Sequence, residues 1–383
     1  MYPKSKKTNL NKSGLNATLE KNNDMKNLIN YLCIMCFLFV SCKHEGTYYN
    51  PDVIINESGI ECMDSVALHH IRDISNMVYG LYSIDNYLIL IQNNRDTLFQ
   101  VFDMRNDSLI ASFGKIGHAH NEFRRVPVKA YCTNNKKGNP ILCVQEEACT
   151  KFIDIKESVE TNKCVIAETI KENKDFAFYY TFHIGNNKCF NYKTVSYEDA
   201  RDHIYIKPMF YMNDSSENGW DIFPQIITPT FSSLVDCAYL MKVLVSPNGK
   251  YVVGINQLID IVTIFDLSKD KTIGIINLDS YTLEKMETEF NEDNFDKKVI
   301  CFNISGCTSD NSFFVLKDGD LYEKVALNEN EEGYSVVSRY DWSGNKLTSY
   351  VLDKKLIYIA YNKNTDILYA ISAADRLYSF KLR

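Results

Sequence analysis

The densest group of side chains that could do chemistry lies between Phe113 and Phe123, which reads F-G-K-I-G-H-A-H-N-E-F. Two imidazoles, a carboxylate and two following arginines could present polar groups to a ligand, because loops on a rigid scaffold often carry binding residues. The candidate binding residues are His118, His120, Glu122, Arg124 and Arg125. Imidazole and carboxylate also suit zinc. So short a pattern arises readily by chance, however, and we predict no metal site.

The same stretch has a structural interpretation. Gly114 and Gly117 permit backbone angles that other residues avoid. Phe113 and Phe123 would fill the core, and Glu122 would accept hydrogen bonds from loop amides. We favour this structural interpretation and keep the binding interpretation as the alternative.

The rest of the chain carries no recognisable catalytic signature. The nucleophile elbow G-x-S-x-G, the Walker loop and H-E-x-x-H are all absent. Two further polar groups, His69-His70 and Arg201-Asp202-His203, lack a supporting pattern. We therefore predict no catalytic residue and no cofactor.

Composition favours a β-rich globular protein. The 383 residues are 45% hydrophobic and include 25 Tyr and 21 Phe, and aromatic side chains are enriched in strands. The net charge of −7 argues against nucleic acid as a partner, because its phosphates require a basic surface.

The N-terminus is predicted to be a targeting sequence and not part of the folded domain. Residues 1–24 are polar and rich in Lys and Asn, which is typical of a disordered extension, and we expect translation to start at Met25. Residues 25–41 have the form of a signal peptide, with an apolar run that ends at Ser41. That run is shorter than the roughly 20 residues that a membrane-spanning helix needs.

Ser41-Cys42 at the end of this run resembles the lipobox of bacterial lipoproteins. The resemblance implies that Cys42 becomes the lipidated first residue of the mature chain. We expect a linker over residues 42–59 and a folded domain over 60–383. The alternative is that the apolar run forms a buried N-terminal helix.

Nine cysteines follow Cys42, and none of them forms a C-x-x-C pair. Most lie among apolar residues, as in Ile141-Leu142-Cys143-Val144. An odd number of cysteines at irregular spacing is a poor disulfide framework. We therefore expect most of these cysteines to be buried and to pack as small hydrophobic residues.

The body of the chain repeats. Short β-type runs separated by turn residues recur from Met77 onward, and the third run of each unit carries an aromatic residue. These residues are Phe102, Phe152, Phe210, Phe265, Tyr340 and Phe380, at intervals of 50, 58, 55, 75 and 40 residues. The spacing predicts an all-β fold, a six-bladed β-propeller of four-stranded blades. The long interval is explained by an acidic helical insertion over residues 279–298 and a polar loop over 328–333.

The last unit supplies only three strands before the chain ends. We predict that a strand from the N-terminal side closes this blade, either Asp52–Ile55 or Ser65–Ile71, so that no edge is left unpaired. A pair of two-sheet sandwiches is the competing architecture.

Together with the lipobox and the six units, the pattern F-G-K-x-G-x-x-x-x-E-F resembles the TolB-like six-bladed β-propeller lipoproteins of Bacteroidota. Members of that family carry F-G-[KR]-x-G-x-G-P-x-E-F after the first blade. Here Ala119 and His120 stand where the family has Gly and Pro. The resemblance implies a fold and a cellular location, and it implies no activity.

We therefore expect a non-catalytic binding or scaffolding module in the cell envelope, held by lipid on Cys42 at the outer membrane, with a protein or glycan ligand at a propeller face. One alternative is a metal-dependent, lactonase-like hydrolase, which needs three or more carboxylates or imidazoles from different blades in the channel. Another is an accessory subunit of an envelope nutrient-uptake complex.

Overall fold

Asp residues close many of the hairpins that organise this chain. Asp85, Asp107, Asp270, Asp366 and Asp375 adopt positive φ angles between 50° and 56°. Short polar side chains tolerate this left-handed backbone and hydrogen-bond to nearby amides, so they end one strand and begin the next. The alternating apolar sequence between these turns then forms short antiparallel strands.

The computed structural model describes the following residues: 49–57, 64–146, 149–171, 179–185, 188–198, 204–212, 219–223, 241–276, 289, 293–326 and 333–382. The predicted extension 1–24, signal peptide 25–41 and Cys42 lie outside these ranges, as do Arg201-Asp202-His203 and most of the predicted insertion and polar loop. No helix in the described ranges is long and apolar enough to cross a membrane.

Three strands precede the repeats: β1 (Val53–Asn56), β2 (Asp64–Val66) and β3 (His69–Asp73). Blade 1 contains β4 (Val78–Ile84), β5 (Tyr87–Gln92), β6 (Phe99–Asp103) and β7 (Ser108–Phe113). Blade 2 contains β8 (Ala130–Asn134), β9 (Pro140–Gln145), β10 (Cys149–Asp154) and β11 (Ile166–Lys171). Blade 3 contains β12 (Tyr179–Gly185), β13 (Lys188–Glu198), β14 (Ile204–Met212) and β15 (Gly219–Trp220).

Blade 4 contains β16 (Met241–Val245), β17 (Tyr251–Asn256), β18 (Ile261–Asp266) and β19 (Lys271–Ile276). Blade 5 contains β20 (Ile300–Thr308), β21 (Ser312–Leu321), β22 (Ser335–Asp341) and β23 (Lys346–Leu352). Blade 6 contains β24 (Leu356–Asn362), β25 (Ile367–Ser372) and β26 (Arg376–Lys381), followed by β3. The described helices are α1 (Ile155–Thr161), α2 (Phe295–Lys298) and α3 (Tyr322–Ala326).

The predicted fold class is confirmed: the chain is an all-β six-bladed propeller of four-stranded antiparallel blades. The first strands of neighbouring blades contact one another, as β4 does with β8 and with β24. The first strand of each blade therefore lies nearest the propeller axis.

The aromatic series that predicts the repeat falls on the third strand of every blade, namely β6, β10, β14, β18, β22 and β26. Phe210 and Phe265 show what it does, because their ring centroids lie 4.7 Å apart across the boundary between blades 3 and 4. Phe190 adds an edge contact to Phe265 at 5.1 Å. The series marks the packing between blades.

Ring closure by an N-terminal strand is also confirmed. β3 pairs antiparallel with β26, with His69 opposite Ser379 and Asp73 opposite Arg376. The closing strand begins at His69, later than the predicted start at Ser65. His69 and His70 are thereby strand residues, and the His70 ring lies 5.4 Å from that of Tyr378.

The segment before β3 differs from the expectation of a single closing strand. β1 pairs in parallel with β19 of blade 4, and β2 pairs in parallel with β23 of blade 5, so each of these sheets has five strands. Residues 49–57, assigned by sequence to the linker 42–59, therefore already pack on the propeller. Tyr49 is buried, and its hydroxyl lies 2.8 Å from Oγ1 of Thr263.

Glu57 extends this attachment into blade 5 through a half-buried ionic cluster. Its carboxylate lies 3.0 Å from Nζ of Lys317, is also paired with Lys346, and accepts a hydrogen bond from the Tyr340 hydroxyl at 2.9 Å. Burial alone would raise the pKa of Glu57, but the two ammonium groups outweigh it and lower the pKa below its usual range. The cluster fastens the N-terminal segment to β21, β22 and β23 of blade 5.

Replacing Glu57 by Gln should lower the free energy of unfolding by about 2–3 kcal/mol at pH 7, because Lys346 loses its counter-charge and Lys317 keeps only Asp260, at 3.6 Å. Chemical denaturation should measure this loss, and Glu323→Gln, which changes an exposed carboxylate, is the matched control. Because the folded-state pKa of Glu57 is lowered, its contribution is complete above the unfolded-state value of roughly 4.3 and is lost at lower pH. The difference between variant and wild type should therefore shrink below about pH 4. Equal stability at pH 7 would show that the cluster does not hold the segment.

Candidate functional site

The predicted motif forms the connection from blade 1 to blade 2, between the end of β7 and the start of β8. Strand direction alternates within a blade, so the outermost strand ends on the side where the first strands begin. We call this side the proximal face. The loop over residues 114–129 and the first residues of β8 and β16 all belong to it.

Gly114 is required by the backbone at the start of this loop. Its φ is +84°, and a Cβ atom there would lie 2.6 Å from the ring of Phe99. Its carbonyl accepts a hydrogen bond from the amide of Leu98 at 2.9 Å. Phe99 in turn packs on both aromatic ends of the motif, at 5.8 Å from Phe113 and 5.2 Å from Phe123.

Glu122 accepts hydrogen bonds inside its own loop. Its Oε2 accepts from the amide of Ala119 at 2.9 Å, and a side chain on Gly117 would collide with this carboxylate. The two backbone bonds Phe123 N to Lys115 O and Gly117 N to Phe123 O, both 2.8 Å, close the loop. These contacts agree with the structural interpretation of the glycines, the aromatic ends and Glu122.

The departure from the family pattern at Ala119-His120 has a simple backbone explanation. Neither residue adopts a positive φ, so the turn does not need glycine at position 119. The bond from Ala119 to Glu122 holds the turn.

Lys151 of β10 attaches this loop to blade 2. Its ammonium lies 2.8 Å from the Glu146 carboxylate and 4.7 Å from the ring centroid of Phe123, and it donates a hydrogen bond to the Glu122 carbonyl. Glu146 also accepts from the amide of Arg124 at 2.8 Å. Lys151 and Glu146 are therefore a mostly buried pair that joins two blades through the motif.

Replacing Lys151 by Met should reduce the free energy of unfolding by about 3–5 kcal/mol, because the Glu146 carboxylate is left without its cation in a desolvated position. Thermal and chemical denaturation should both show the loss. Lys156→Met, an exposed change on the neighbouring helix α1, should stay within about 0.5 kcal/mol of wild type. A small effect at Lys151 would mean that the motif does not join the blades.

The side chains predicted to bind lie on the proximal face in two different settings. His118, His120, Arg124 and Arg125 are exposed, whereas Glu122 is half-buried and directed into its own loop. Within the described ranges, no group of three His, Cys, Asp or Glu side chains is arranged to hold a metal ion. Arg124 and Arg125 thus add two exposed cations to the proximal face.

A cavity of about 100 Å³ lies on the axis, lined by β4, β8, β16, β20 and β24 and the residues that follow them. Its charged lining residues in the described ranges are Asp85, Lys242 and Lys363. Asp85 and Lys363 follow the ends of their strands and so lie at the distal end, where Lys363 pairs with Asp310 at 2.8 Å. Lys242 is the second residue of β16 and lies toward the proximal end.

Lys242 is the unusual side chain of this cavity. Burial lowers its pKa to about 8, and its Nζ lies 5.4 Å from the ring centroid of Tyr358. Lys129, just before β8, lies in a similar setting, with Nζ 3.7 Å from the ring centroid of Tyr180. Burial, and then the charge of Arg125, lower the pKa of Lys129. Lys242 in the cavity and Lys129 just before β8 are thus two partly desolvated ammonium groups over aromatic rings.

The described lining holds few ionisable groups besides its two lysines. Asp85 is its one carboxylate, and no imidazole is present among the described lining residues. Burial raises the pKa of the Cys132 thiol to about 12 and also raises that of Cys307, so both thiols stay protonated and are poor nucleophiles. The convergence of acids that the lactonase-like alternative needs does not occur in this part of the lining.

Sequence reasoning did not find Lys129, Lys242 or Tyr358. A signal for Lys242 was present in M-K-V-L-V, where one charge interrupts an otherwise apolar first strand. The signal becomes readable only when the strand is known to face the axis.

No family model matches the chain, and no curated protein matches it either. Among solved structures, the chain is similar to a Bacteroides fragilis protein whose export is inferred, with 9% identity, TM-score 0.47, and coverage of 86% of this chain and 99% of that one. It is also similar to a member of the DUF4221 family from Bacteroides vulgatus, with 9% identity, TM-score 0.48, and coverage of 83% and 98%. A third similarity is to the β-propeller domain of Cps50 (Swd1) from a Myceliophthora species, with 9% identity, TM-score 0.43, and coverage of 82% and 100%.

Proposed function

We propose that this protein is an exported, lipid-anchored propeller of the TolB-like kind that binds a ligand at its proximal face without catalysis. The observation that carries the proposal is the axial cavity, which combines apolar walls with a single carboxylate in its described lining. Arg124 and Arg125 add exposed cations to the proximal face. Concave sites on a rigid scaffold that combine apolar walls with a few polar groups are typical binding sites.

The contacts of the motif support the family part of the proposal. Six residues match the family pattern, and each has a structural contact in the connection between blades 1 and 2: Phe113, Gly114, Lys115, Gly117, Glu122 and Phe123. A pattern with this role would be retained across propellers that bind different ligands. Ligand choice would then depend on the exposed positions between and after these residues.

The lipid anchor is proposed from Cys42. This residue lies shortly before Tyr49, where the described part of the propeller begins, so a fully extended connection spans at most roughly 25 Å. Tyr49 packs near β18 and β19 of blade 4, since its hydroxyl meets Thr263 and its ring lies close to Gly274. A lipid on Cys42 would hold the blade 4 side of the propeller close to the membrane.

Replacing Cys42 by Ser should release the protein from the membrane fraction, because the thiol that accepts the lipid is lost and the chain has net charge −7, which does not favour an anionic bilayer. Fractionation of cells followed by immunoblotting measures the distribution. Cys62→Ser, a change at the next cysteine along the chain, is the control and should leave the distribution unchanged. Retention of the Cys42 variant with membranes would overturn the lipid anchor.

The proximal face can be tested with two matched charge reversals. Arg124→Glu with Arg125→Glu changes two adjacent exposed cations on the proximal face. Lys136→Glu with Lys137→Glu makes the same change in the turn between β8 and β9, on the opposite face. The mature protein is used to capture binding partners from envelope extracts, and the captured material is quantified by mass spectrometry. The proximal pair should reduce specific capture at least about tenfold, whereas the control pair should leave it unchanged.

Equal capture by both variant pairs would place the binding surface elsewhere and overturn this part of the proposal. Failure of the wild-type protein to retain any envelope protein or glycan above background would also count against it. Retention of transporter components would favour the uptake-complex alternative as the setting in which the module acts.

A further inference from the structure

The alternation of β16 directs Lys242 toward the axis. Met241 and Val243 belong to the hydrophobic core between blades, whereas Lys242 and Leu244 line the cavity. Val245, at the distal end of the strand, belongs to both. The partner of Lys242 across the strand pair is Ile255, which is buried and apolar. The Lys242 ammonium therefore reaches the cavity without a paired carboxylate among the described residues.

Comparison with the other lysines shows how unusual this arrangement is. Six lysines whose side chains are described are not exposed. Four of them pair with a carboxylate, namely Lys151 with Glu146, Lys317 and Lys346 with Glu57, and Lys355 with Asp318. The two that have no carboxylate partner are Lys129 and Lys242, and both lie at the proximal end of the channel. The chain thus compensates partly buried ammonium groups everywhere in the described part except beside its cavity.

An uncompensated ammonium in a desolvated position is unfavourable for folding, since burial without a partner penalises the charged form. The lowered pKa of Lys242 expresses this penalty. A bound anion would remove it by supplying the missing charge. Perturbed cations in clefts are for this reason good candidates for ligand contacts.

The surroundings define the chemistry of that anion. One ammonium balances one negative charge, and the described lining contains no arginine that could hold a phosphate in two-point fashion. The lining of the cavity also includes Leu81, Tyr82 and Leu244, and the ring centroid of Tyr358 lies 5.4 Å from the Lys242 ammonium. The cavity is well above the roughly 10–15 Å³ that one water needs, which suits a small molecule with an apolar body.

We propose that the channel binds a small organic monocarboxylate, whose carboxylate pairs with Lys242 and whose apolar body lies against Tyr82 and Tyr358. This inference rests on the proposed binding function and assigns to it a ligand class and a second, inner subsite.

Benzoate is a suitable probe, because it combines a carboxylate with an aromatic body, and benzamide is its neutral counterpart. Isothermal titration calorimetry or ligand-observed NMR with the mature protein at pH 7 should show benzoate binding with Kd below about 10 mM. Benzamide and inorganic phosphate should each bind at least about tenfold more weakly, which corresponds to about 1.4 kcal/mol. Equal binding of benzamide, or no benzoate binding at 10 mM, would overturn the inference.

Lys242→Met should lower benzoate affinity at least about tenfold and should also raise the thermal midpoint, because a desolvated charge is removed from the fold. Lys250→Met, an exposed change in the adjoining hairpin, should alter neither property. Lys242→Arg should keep most of the affinity, since it retains the charge. If Lys242→Met binds benzoate like wild type, the ammonium is not the ligand contact.

The two levels of the proposal can fail separately. Loss of capture by the Arg124 and Arg125 charge reversal, together with no benzoate binding, would retain the proximal-face function and remove the inner subsite. Benzoate binding that depends on Lys242, with capture unaffected by the charge reversal, would retain the subsite and place the larger partner on another surface.

Discussion

The propeller depends on the pairing of a strand from its beginning with a strand from its end. β3 joins β26, and without it the last blade would leave the backbone groups of β26 unpaired at an edge. The residues before β3 extend this constraint, because β1 and β2 cover the outer strands of blades 4 and 5. One short segment thereby ties three successive blades together, and Glu57 adds charge pairing to the backbone bonds.

This arrangement divides the ring into two parts with different outer edges. In blades 4 and 5 the N-terminal segment pairs with the outermost strand, and in blade 6 it supplies that strand. Blades 1, 2 and 3 end on β7, β11 and β15 within the described residues. The motif and Lys151 lie in the second part, where they join blades 1 and 2 through a buried ion pair. Different parts of the ring are therefore held by different interactions.

Much of this fold follows from local sequence. The third-strand aromatic series, from Phe102 to Phe380, predicts the number of blades because each repeat needs one large side chain at its contact with a neighbour. The closing strand follows from the three-strand last unit. The parallel additions β1 and β2 could not be predicted, because a parallel pair across such a distance has no hairpin turn to mark it. Helix α1 was not predicted either. It has only seven residues, and the sequence feature that marks its start is Asp154, whose side chain accepts a hydrogen bond from the amide of Glu157.

The site was predictable only in part, for a physical reason. The motif is local in sequence, so its glycines and Glu122 could be assigned structural contacts in advance. The cavity is lined by residues of five strands that are far apart along the chain, and Lys242 acquires its character only from burial beside Tyr358. Burial of the Lys242 charge lowers the stability of the fold, and a bound anion would offset that cost. Such a relation between stability and binding is common.

The pairing of β3 with β26 also sets the order in which the chain can mature after synthesis. The closing strand leaves the ribosome, and crosses any membrane, before every strand of the six repeats, yet its partner is the last strand of all. Contacts between residues so distant in sequence form slowly, because a large loop must close first. The backbone amides and carbonyls of β1 to β3 therefore lack their strand partners until blades 4 to 6 have formed. A chain that is truncated near its C-terminus would leave the outer edge at β3 without a partner, and such edges promote association between chains.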